Sequence, residues 1–174
     1  MAKIFVKTYG CQANISDSEA MAGILKQNGH EITNNEDEAD LVLVNTCSVK
    51  DKTQSKELHY LKEISKTKKV IVGGCLTKTI NIRNYVPNVA AVFDTNSILK
   101  INEIVENPHD SFSDHKELER LSSPIIRNQN DVSIIPISQG CLNKCTFCAT
   151  KLARGNLVSY RIGDIKRALE KAVA

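Results

Sequence analysis

The chain contains 174 residues, which is enough for one domain and part of a second. It is 41% hydrophobic and 25% charged, and its apolar N-terminal run is too short for a secretion signal or a membrane span. Its net charge of +3 does not by itself indicate a nucleic-acid-binding protein. We therefore expect a cytoplasmic protein without a membrane partner.

The first predicted elements are a strand and a helix. Residues 4–6 favour a β-strand, and a turn is predicted at residues 9–11. Ser16 and Glu19 have the spacing of a capping box, so a helix is predicted to begin there and to end at Gly29. One face of this helix is predicted to be buried, and it contains Ala20, Met21, Ile24 and Leu25.

Two continuous apolar runs, at residues 41–44 and 70–72, predict strands that are covered on both faces. Between them, apolar residues recur at helical spacing at Leu58, Leu61 and Ile64. Further along, the pattern predicts a weaker helix at residues 78–85, a strand at residues 91–93 and a helix at residues 97–105. The short segment at residues 31–32 is either an edge strand or a loop.

The alternation of strands and helices predicts an α/β fold, with an open parallel sheet and helices on both faces, for residues 1–107. We expect this N-terminal domain to fold independently. Residues 108–131 are polar and irregular, which is typical of an inter-domain linker. A strand at residues 132–138 and a helix at residues 164–173 are then predicted to begin a second domain, residues 132–174.

Three of the six cysteines, Cys141, Cys145 and Cys148, lie in one loop with the spacing C-x3-C-x2-C. Thiolates are soft ligands that suit iron, so such a loop can bind three irons of an iron–sulfur cluster and leave one iron open. A zinc site is the alternative, but it needs a fourth ligand, and no Cys or His follows Cys148. Disulfide bonds are disfavoured because three cysteines in one loop cannot all pair.

The other three cysteines, Cys11, Cys47 and Cys75, are far apart in the sequence, yet each follows a predicted strand. The carboxyl ends of parallel strands lie at one edge of an open sheet, where such folds bind ligands. The alternative is that each cysteine is simply a small buried residue. Because all three have the same topological position, we expect them to form one site.

Four groups of short motifs connect these cysteines to a known family. The motifs are Gly10-Cys11-Gln12 with Asn14 and Asp17-Ser18-Glu19, Asn45-Thr46-Cys47, Gly73-Gly74-Cys75, and Gly140-Cys141-Leu142-Asn143 through Cys148. Together they resemble the radical S-adenosylmethionine methylthiotransferases over essentially the whole chain. Residues 151–157 and 159–160 are similar to the archaeal and eukaryotic branch, which methylthiolates threonylcarbamoyladenosine beside the anticodon of transfer RNA.

The resemblance implies two 4Fe-4S clusters and S-adenosyl-L-methionine as cofactors. It assigns Cys11, Cys47 and Cys75 to an auxiliary cluster that presents sulfur. It assigns Cys141, Cys145 and Cys148 to a radical-generating cluster that binds S-adenosylmethionine. Phe147 matches the aromatic position before the third cysteine and is a candidate contact for that cofactor.

The resemblance also implies partners: a tRNA substrate and an electron donor such as a ferredoxin or flavodoxin, while the sulfur source is unknown. Lys151, Arg154 and Arg161 follow the radical-cluster loop and are candidates for RNA contact. The alternative is that these basic residues are solvated surface charges.

In the family, the second domain is a complete barrel, of which residues 132–174 would supply only the first βα unit. We therefore expect the chain by itself to be inactive. Two other functions stay open: methylthiolation of an aspartate in a ribosomal protein, and non-catalytic iron–sulfur binding by a fragment. The basic residues after Cys141 favour RNA as the substrate.

Overall fold

The computed structural model describes residues 1–48, 51–114, 118–127 and 131–173. Its centre is a five-stranded sheet with the order β2-β1-β3-β4-β5, and every pairing in it is parallel. The strands are β1 (Lys3–Thr8), β2 (Glu31–Thr33), β3 (Leu41–Thr46), β4 (Lys69–Gly74) and β5 (Ala91–Val92). The segment at residues 31–32, for which the sequence left two alternatives, is therefore an edge strand.

Helices cover both faces of this sheet, as predicted. The N-terminal helices are α1 (Gln12–Gln27), α2 (Asp51–Ile64) and α3 (Ile101–Glu106). Helices α1 and α3 pack with one face of the sheet in the first hydrophobic core, and α2 packs with the other face in the second. The prediction of an α/β fold with an open parallel sheet is confirmed.

The central strand β3 shows why its apolar run is continuous. Leu41 and Leu43 belong to the first core, and Val42 and Val44 belong to the second. Successive side chains of a strand point to opposite faces, and here both faces are covered. Every residue of β3 is therefore buried.

Helix α1 begins four residues earlier than predicted, at Gln12. The chain turns at Gly10, where φ is +105°, and the carbonyl of Cys11 accepts hydrogen bonds from the N–H groups of Asn14 and Ile15. The predicted capping box at Ser16 is therefore wrong, because the backbone has already formed a helical turn before it. The predicted buried face is confirmed for Ala20, Met21, Ile24 and Leu25.

The weaker helix predicted at residues 78–85 is also wrong. Two short 3-10 helices occupy this region, Cys75–Lys78 and Ile82–Asn84. The Asn81 side chain accepts a hydrogen bond from the N–H of Arg83 and caps the second of them. The helix predicted at residues 97–105 is present as a 3-10 turn, Ile98–Lys100, that continues into α3.

The predicted linker contacts the N-terminal domain at several points. Ser111 pairs with Phe93 beside β5, and the N–H of Ile126 donates to the carbonyl of Glu19 in α1. A Cβ atom on Gly23 of α1 would lie 2.1 Å from the carbonyl oxygen of Pro124, so the segment passes directly over the helix. The polar composition of this segment did not predict these contacts.

The strand predicted at residues 132–138 is wrong. Pro136 lacks an N–H donor, and residues 132–137 have no β-pairing within the described part of the chain. Only β6 (Ser138–Gln139) forms there, antiparallel to β7 (Val158–Ser159). The other elements of this segment are the helices α4 (Ala149–Arg154) and α5 (Ile162–Val173). Among the described residues, no helix is both long and apolar enough to span a membrane.

Candidate functional site

Three cysteines lie at the carboxyl ends of neighbouring strands of the sheet. They are Cys11, Cys47 and Cys75, which we call the first cysteine set. These residues follow β1, β3 and β4, three neighbouring strands of the sheet. The strand order reverses direction between β1 and β3, and ligands of open parallel sheets bind in the crevice at such a point. The structure therefore places all three cysteines at the edge that the sequence predicted.

Two glycines permit the close packing of this edge. Gly10 has φ of +105°, and a Cβ atom there would lie 2.9 Å from the Sγ atom of Cys47. Gly74 has φ of +98°, and a Cβ atom there would lie 2.4 Å from the Oδ1 atom of Asn45. Glycine adopts this backbone conformation without strain and leaves room for the neighbouring side chain.

Asn14 of α1 connects the strand ends to one another. Its side chain is fully buried, and its Nδ2 atom donates to the carbonyls of Tyr9 and Thr46, both at 2.8 Å. Its Oδ1 atom accepts from the Sγ of Cys75 at 3.5 Å and from Nη2 of Arg154 at 2.7 Å. A single amide therefore fixes the ends of β1 and β3 relative to Cys75.

Glu57 of α2 holds the backbone beside Cys47. Both of its carboxylate oxygens accept from the Cys47 N–H, at 3.2 and 3.1 Å. Burial raises the pKa of Glu57 to about 7, and the hydrogen bond from Cys47 opposes that shift. The contact connects α2 directly to the first cysteine set.

The three thiols of the first set have different surroundings. Cys11 is exposed, whereas Cys47 and Cys75 are each 5% exposed. Burial raises the pKa of the Cys75 thiol, and the positive charge of the nearby Arg154 guanidinium partly offsets this rise. All six cysteines of the chain are free thiols in the structure.

The loop before α4 holds Cys141, Cys145 and Cys148, which we call the second cysteine set. The N–H of Cys148 donates to the carbonyl of Cys145 at 3.2 Å, and Cys148 is the N-cap residue of α4. The Nζ atom of Lys151 donates to the carbonyl of Cys141 at 2.6 Å and to Oδ1 of Asn156 at 2.7 Å. Lys151 therefore connects the first cysteine of this loop to α4.

The candidate contact residues differ in their exposure. Phe147 is 89% exposed, so its ring is accessible, and its predicted cofactor contact stays a prediction. Arg161 is also exposed, and its RNA contact stays a prediction too. Lys151 is hydrogen-bonded within its own loop, so an RNA contact there would compete with those bonds.

Arg154 requires a correction, because it is not a surface charge. Its side chain is 7% exposed, and its Nη2 atom lies 2.6 Å from Oδ2 of Asp17. The other oxygen of Asp17 accepts from Nη1 of Arg120, whose Nη2 donates to the carbonyl of Thr95 at 2.7 Å. Since its guanidinium already has buried partners, an RNA contact at Arg154 would have to break these bonds, and the predicted contact stays a prediction.

Helix α4 joins the two cysteine sets. Its N-cap is Cys148 of the second set, and its last residue is Arg154, whose Nη2 atom donates to the same Oδ1 atom of Asn14 that accepts from the Sγ of Cys75. The Oγ1 atom of Thr95 donates to the carbonyl of Ala153 at 2.9 Å and holds this end of the helix against the N-terminal domain. Arg154 is six positions after Cys148, which corresponds to a rise of about 9 Å along an α-helix.

The three thiols of the first set are the kind of donor that an iron–sulfur cluster takes, since thiolate is a soft ligand that suits iron. Among the described residues, no three His, Cys, Asp or Glu side chains are grouped as ligands of one metal ion. In an iron–sulfur cluster each thiolate binds a different iron, so the sulfurs are spread around the cluster. The positively charged Arg154 beside Cys75 also suits an anionic thiolate-bound group.

Two residues of the site, Glu57 and Arg120, were not identified from the sequence. Glu57 lies in a helix with many charged residues, and Arg120 lies in the polar segment that was predicted to be a linker. Arg120 and Asp17 are 103 positions apart, so no local pattern connects them. Asn14 and Asp17 were part of a recognised motif, but no role could be assigned to either of them from the sequence.

Comparisons with known proteins identify the family of the chain. Residues 3–94 match the family described as Uncharacterized protein family UPF0004. The chain is 39% identical to the "Probable threonylcarbamoyladenosine tRNA methylthiotransferase" of Pyrococcus horikoshii, over 98% of this chain and 43% of that protein. It is 36% identical to the "tRNA-2-methylthio-N(6)-dimethylallyladenosine synthase" of a Sulfurihydrogenibium species, with the same coverage of both chains.

A mammalian relative matches as well. The chain is 36% identical to the "Threonylcarbamoyladenosine tRNA methylthiotransferase" of Mus musculus, over 94% of this chain and 30% of that protein. The chain thus spans less than half the length of the curated relatives it matches. On these matches, the chain belongs to protein family UPF0004, which is the N-terminal domain family of the methylthiotransferases.

Proposed function

We propose that this chain is the cluster-binding part of a tRNA methylthiotransferase. In the whole protein, the reaction converts threonylcarbamoyladenosine beside the anticodon into its 2-methylthio derivative by radical chemistry. The observation that supports this proposal most directly is the arrangement of two three-cysteine sets, one at each end of α4. A reaction that uses a radical and a sulfur donor requires two such sites close together.

The first cysteine set is proposed to hold an auxiliary 4Fe-4S cluster, and the second set a 4Fe-4S cluster that binds S-adenosyl-L-methionine. When bound, these groups supply an electron to S-adenosylmethionine and a sulfur atom to the product. Three cysteines per cluster leave one iron free for each of these tasks. Phe147 is exposed beside the second set and is the proposed contact for S-adenosylmethionine.

The chain's own residues prepare this edge. Asn14 fixes the ends of β1 and β3, and Glu57 holds the backbone N–H of Cys47. The burial of Cys47 and Cys75 keeps water from two of the three thiols. Lys151 orders the second loop through the carbonyl of Cys141. These contacts preorganise the ligands.

The partners follow from the proposed reaction. A tRNA is the substrate, with Arg161 as an exposed candidate for phosphate contact. A small reducing protein such as a ferredoxin or flavodoxin is the proposed electron donor, and the cytoplasm is the proposed location because tRNA is modified there. The identity of the sulfur source stays open.

A second candidate substrate is tRNA that carries dimethylallyladenosine. The relative from Sulfurihydrogenibium is named for that nucleoside, and it covers as much of this chain as the relative from Pyrococcus does. The difference in identity, 39% against 36%, is too small to decide between the two adenosines. We propose threonylcarbamoyladenosine because relatives from an archaeon and a mammal both carry that name.

Mass spectrometry of nucleosides from a strain that lacks the gene tests the substrate. The loss of 2-methylthio-threonylcarbamoyladenosine is expected, whereas loss of the dimethylallyl derivative would identify the second candidate. An unmodified aspartate in a ribosomal protein would instead indicate the protein-modifying branch. No change in any of these would leave only non-catalytic iron–sulfur binding.

Iron analysis of the chain itself tests the two sites. After anaerobic reconstitution we expect close to two clusters per chain, because two separate cysteine sets are present. Replacement of the whole second set by alanine should leave about half of the iron, since each set is expected to bind independently. Loss of nearly all of the iron, or of none, would contradict the proposal.

A further inference from the structure

A cavity of about 480 Å³ lies between helix α1 and the β1–β2 edge of the sheet, and none of the six cysteines lines it. Residues of β1 and β2 form one wall, and one face of α1 forms the other. Residues 126–127 cover it, and the N–H of Ile126 is held by the carbonyl of Glu19 at 3.0 Å. Ligand pockets commonly have volumes of about 300–1,000 Å³, so this cavity has room for a small molecule.

The walls of this cavity are largely apolar. Val6 and Ile32 face it from the sheet, and both pack against the first hydrophobic core. Ile15 and Ala22 face it from α1, seven positions apart and therefore on the same side of the helix. Walls of this kind favour a ligand with an apolar body, whose orientation is fixed by a few polar groups.

His30 is a polar residue at this cavity whose ring has no hydrogen-bond partner in the described part of the chain. The residue is 7% exposed, and its Nδ1 atom is buried. Its backbone N–H donates to the carbonyl of Leu25 at 3.1 Å, which fixes its position after α1. Buried polar groups nearly always have partners, so an unpaired imidazole on a cavity wall indicates a group that binds a ligand.

Two cationic side chains line the cavity together with His30. Lys26 is exposed in the last turn of α1, and Arg127 is half-buried in the covering segment. Neither has an ion-pair partner among residues 1–48, 51–114, 118–127 and 131–173. Met1, which carries the α-amino group of the chain, lines the cavity as well.

Two carboxylates also line the cavity, and both have other interactions. Oε1 of Glu31 lies 3.4 Å from Nζ of Lys3, and the Glu31 side chain is 56% exposed, so solvent screens its charge. Glu19 is 5% exposed, and it too has an interaction of its own. The charges that stay available to a ligand are therefore the positive ones.

The end of α1 is compatible with a bound anion. A helix C-terminus normally disfavours an anion, because its last carbonyls carry partial negative charge. Here the carbonyls of Ile24, Leu25 and Lys26 already accept hydrogen bonds from the N–H groups of residues 28–30. The side chain of Lys26 adds a full positive charge at the same end of the helix.

We propose that this cavity is a binding site for a small organic anion with an apolar body. Lys26 and Arg127 attract the anionic group, and the imidazole of His30 forms a hydrogen bond with it. The apolar body lies against Val6 and Ile32. The site is separate from the proposed methylthiotransferase reaction, because it uses no cysteine and requires no iron.

The test is a nuclear magnetic resonance titration of the full, metal-free chain labelled with ¹⁵N. The probe is 3-phenylpropanoate, and 3-phenylpropanamide and 3-phenylpropylamine are its neutral and cationic analogues. We expect the anion to shift the backbone amide signals of Val6, His30 and Ile126, with a dissociation constant on the order of 1 mM. The neutral analogue should bind about fivefold more weakly, because it lacks the charge. No shifts at these residues, or binding of the amine as tight as that of the anion, would overturn the proposal.

Lys26→Met should weaken binding of 3-phenylpropanoate by about threefold or more, because it removes an exposed positive charge. Lys62→Met is the matched control, since Lys62 is likewise exposed in the last turn of its helix, α2, but does not line the cavity. Equal effects of the two substitutions would overturn the proposal, because they would indicate attraction by net charge alone.

His30→Gln tests the imidazole, with His59→Gln of the exposed face of α2 as its control. We expect only His30→Gln to weaken binding of the anion. Unchanged binding in His30→Gln would contradict the role of the ring. If His30→Gln does not fold, the Lys26 pair still decides the proposal. Because the titration uses no iron, failure of cluster binding would contradict the proposed function and leave this inference standing.

Discussion

Replacement of Asn14 by alanine should strongly destabilise the cysteine edge. The side chain is fully buried, and its Nδ2 atom is a hydrogen-bond donor for two carbonyls, those of Tyr9 and Thr46. A buried group that loses its partner costs about 1–3 kcal/mol, so the two carbonyls together should cost about 3 kcal/mol or more. For a chain of this size, that corresponds to a decrease in the melting temperature of about 6–12 °C.

The assay is thermal unfolding of the metal-free chain, followed by circular dichroism. Asn28→Ala is the matched control, because its Nδ2 atom also donates to a carbonyl of α1, that of Ile24, at 2.8 Å. Asn28 is exposed at the end of the helix, so water can replace the lost bond, and we expect a cost below about 1 kcal/mol.

The comparison of these two variants tests whether burial of the Asn14 amide contributes to stability. A similar decrease in melting temperature for Asn14→Ala and Asn28→Ala would refute the reasoning, because it would mean that burial of the amide contributes nothing. Asn14→Asp separates shape from hydrogen bonding, since it keeps the size of the side chain but removes both donors. It should therefore be destabilised about as much as Asn14→Ala.

Three further predictions concern the rest of the molecule. The pKa of Asp110 is lowered by its arginine partner, so its contribution to stability is present at neutral pH and is lost as the pH falls through its folded-state value. Asp110→Asn should therefore lower the melting temperature more at pH 7 than at pH 3. Gly10→Ala should reduce iron bound at the first cysteine set, measured by iron analysis, whereas Gly29→Ala should not, because its left-handed backbone is equally strained but nothing lies within 4 Å of the added methyl group. Residues 1–107 alone should unfold at a lower temperature than the whole chain, and Asp17→Asn should recover part of the loss; no recovery would contradict the importance of the buried ion pairs.

The sheet could be predicted because each strand is marked by a short apolar run in the sequence. The run at residues 41–44 is apolar at every position, and the structure buries each side chain in one of two cores. The same reasoning placed Cys11, Cys47 and Cys75 at one edge, because each follows a strand of a parallel sheet. Local sequence patterns were therefore sufficient to predict the strands whose side chains are buried on both faces of the sheet.

Other features depended on contacts that no local pattern contains. Helix α1 begins with Cys11 as its N-cap, with no side-chain hydrogen bond, so the capping box at Ser16 was misleading. Arg120 and Arg154 had the sequence context of surface charges, yet both are buried around Asp17. A buried arginine can be recognised only when its acidic partner is known, and this partner is far away in the sequence.

These ion pairs also change how the domain boundary should be understood. The caps and apolar faces of residues 1–107 led us to expect independent folding, but Asp17 is buried in α1 and both of its arginine partners come after residue 107. Removal of both partners leaves an uncompensated buried carboxylate, which costs about 3–5 kcal/mol unless the site opens to water. That is a large fraction of the total stability of a domain, which is about 5–15 kcal/mol. The N-terminal domain therefore contains a site that is completed from outside its predicted boundary, and the residue that completes it, Arg154, also ends the helix that Cys148 begins. The cysteine edge is thus a shared structure of both segments rather than a property of the first alone.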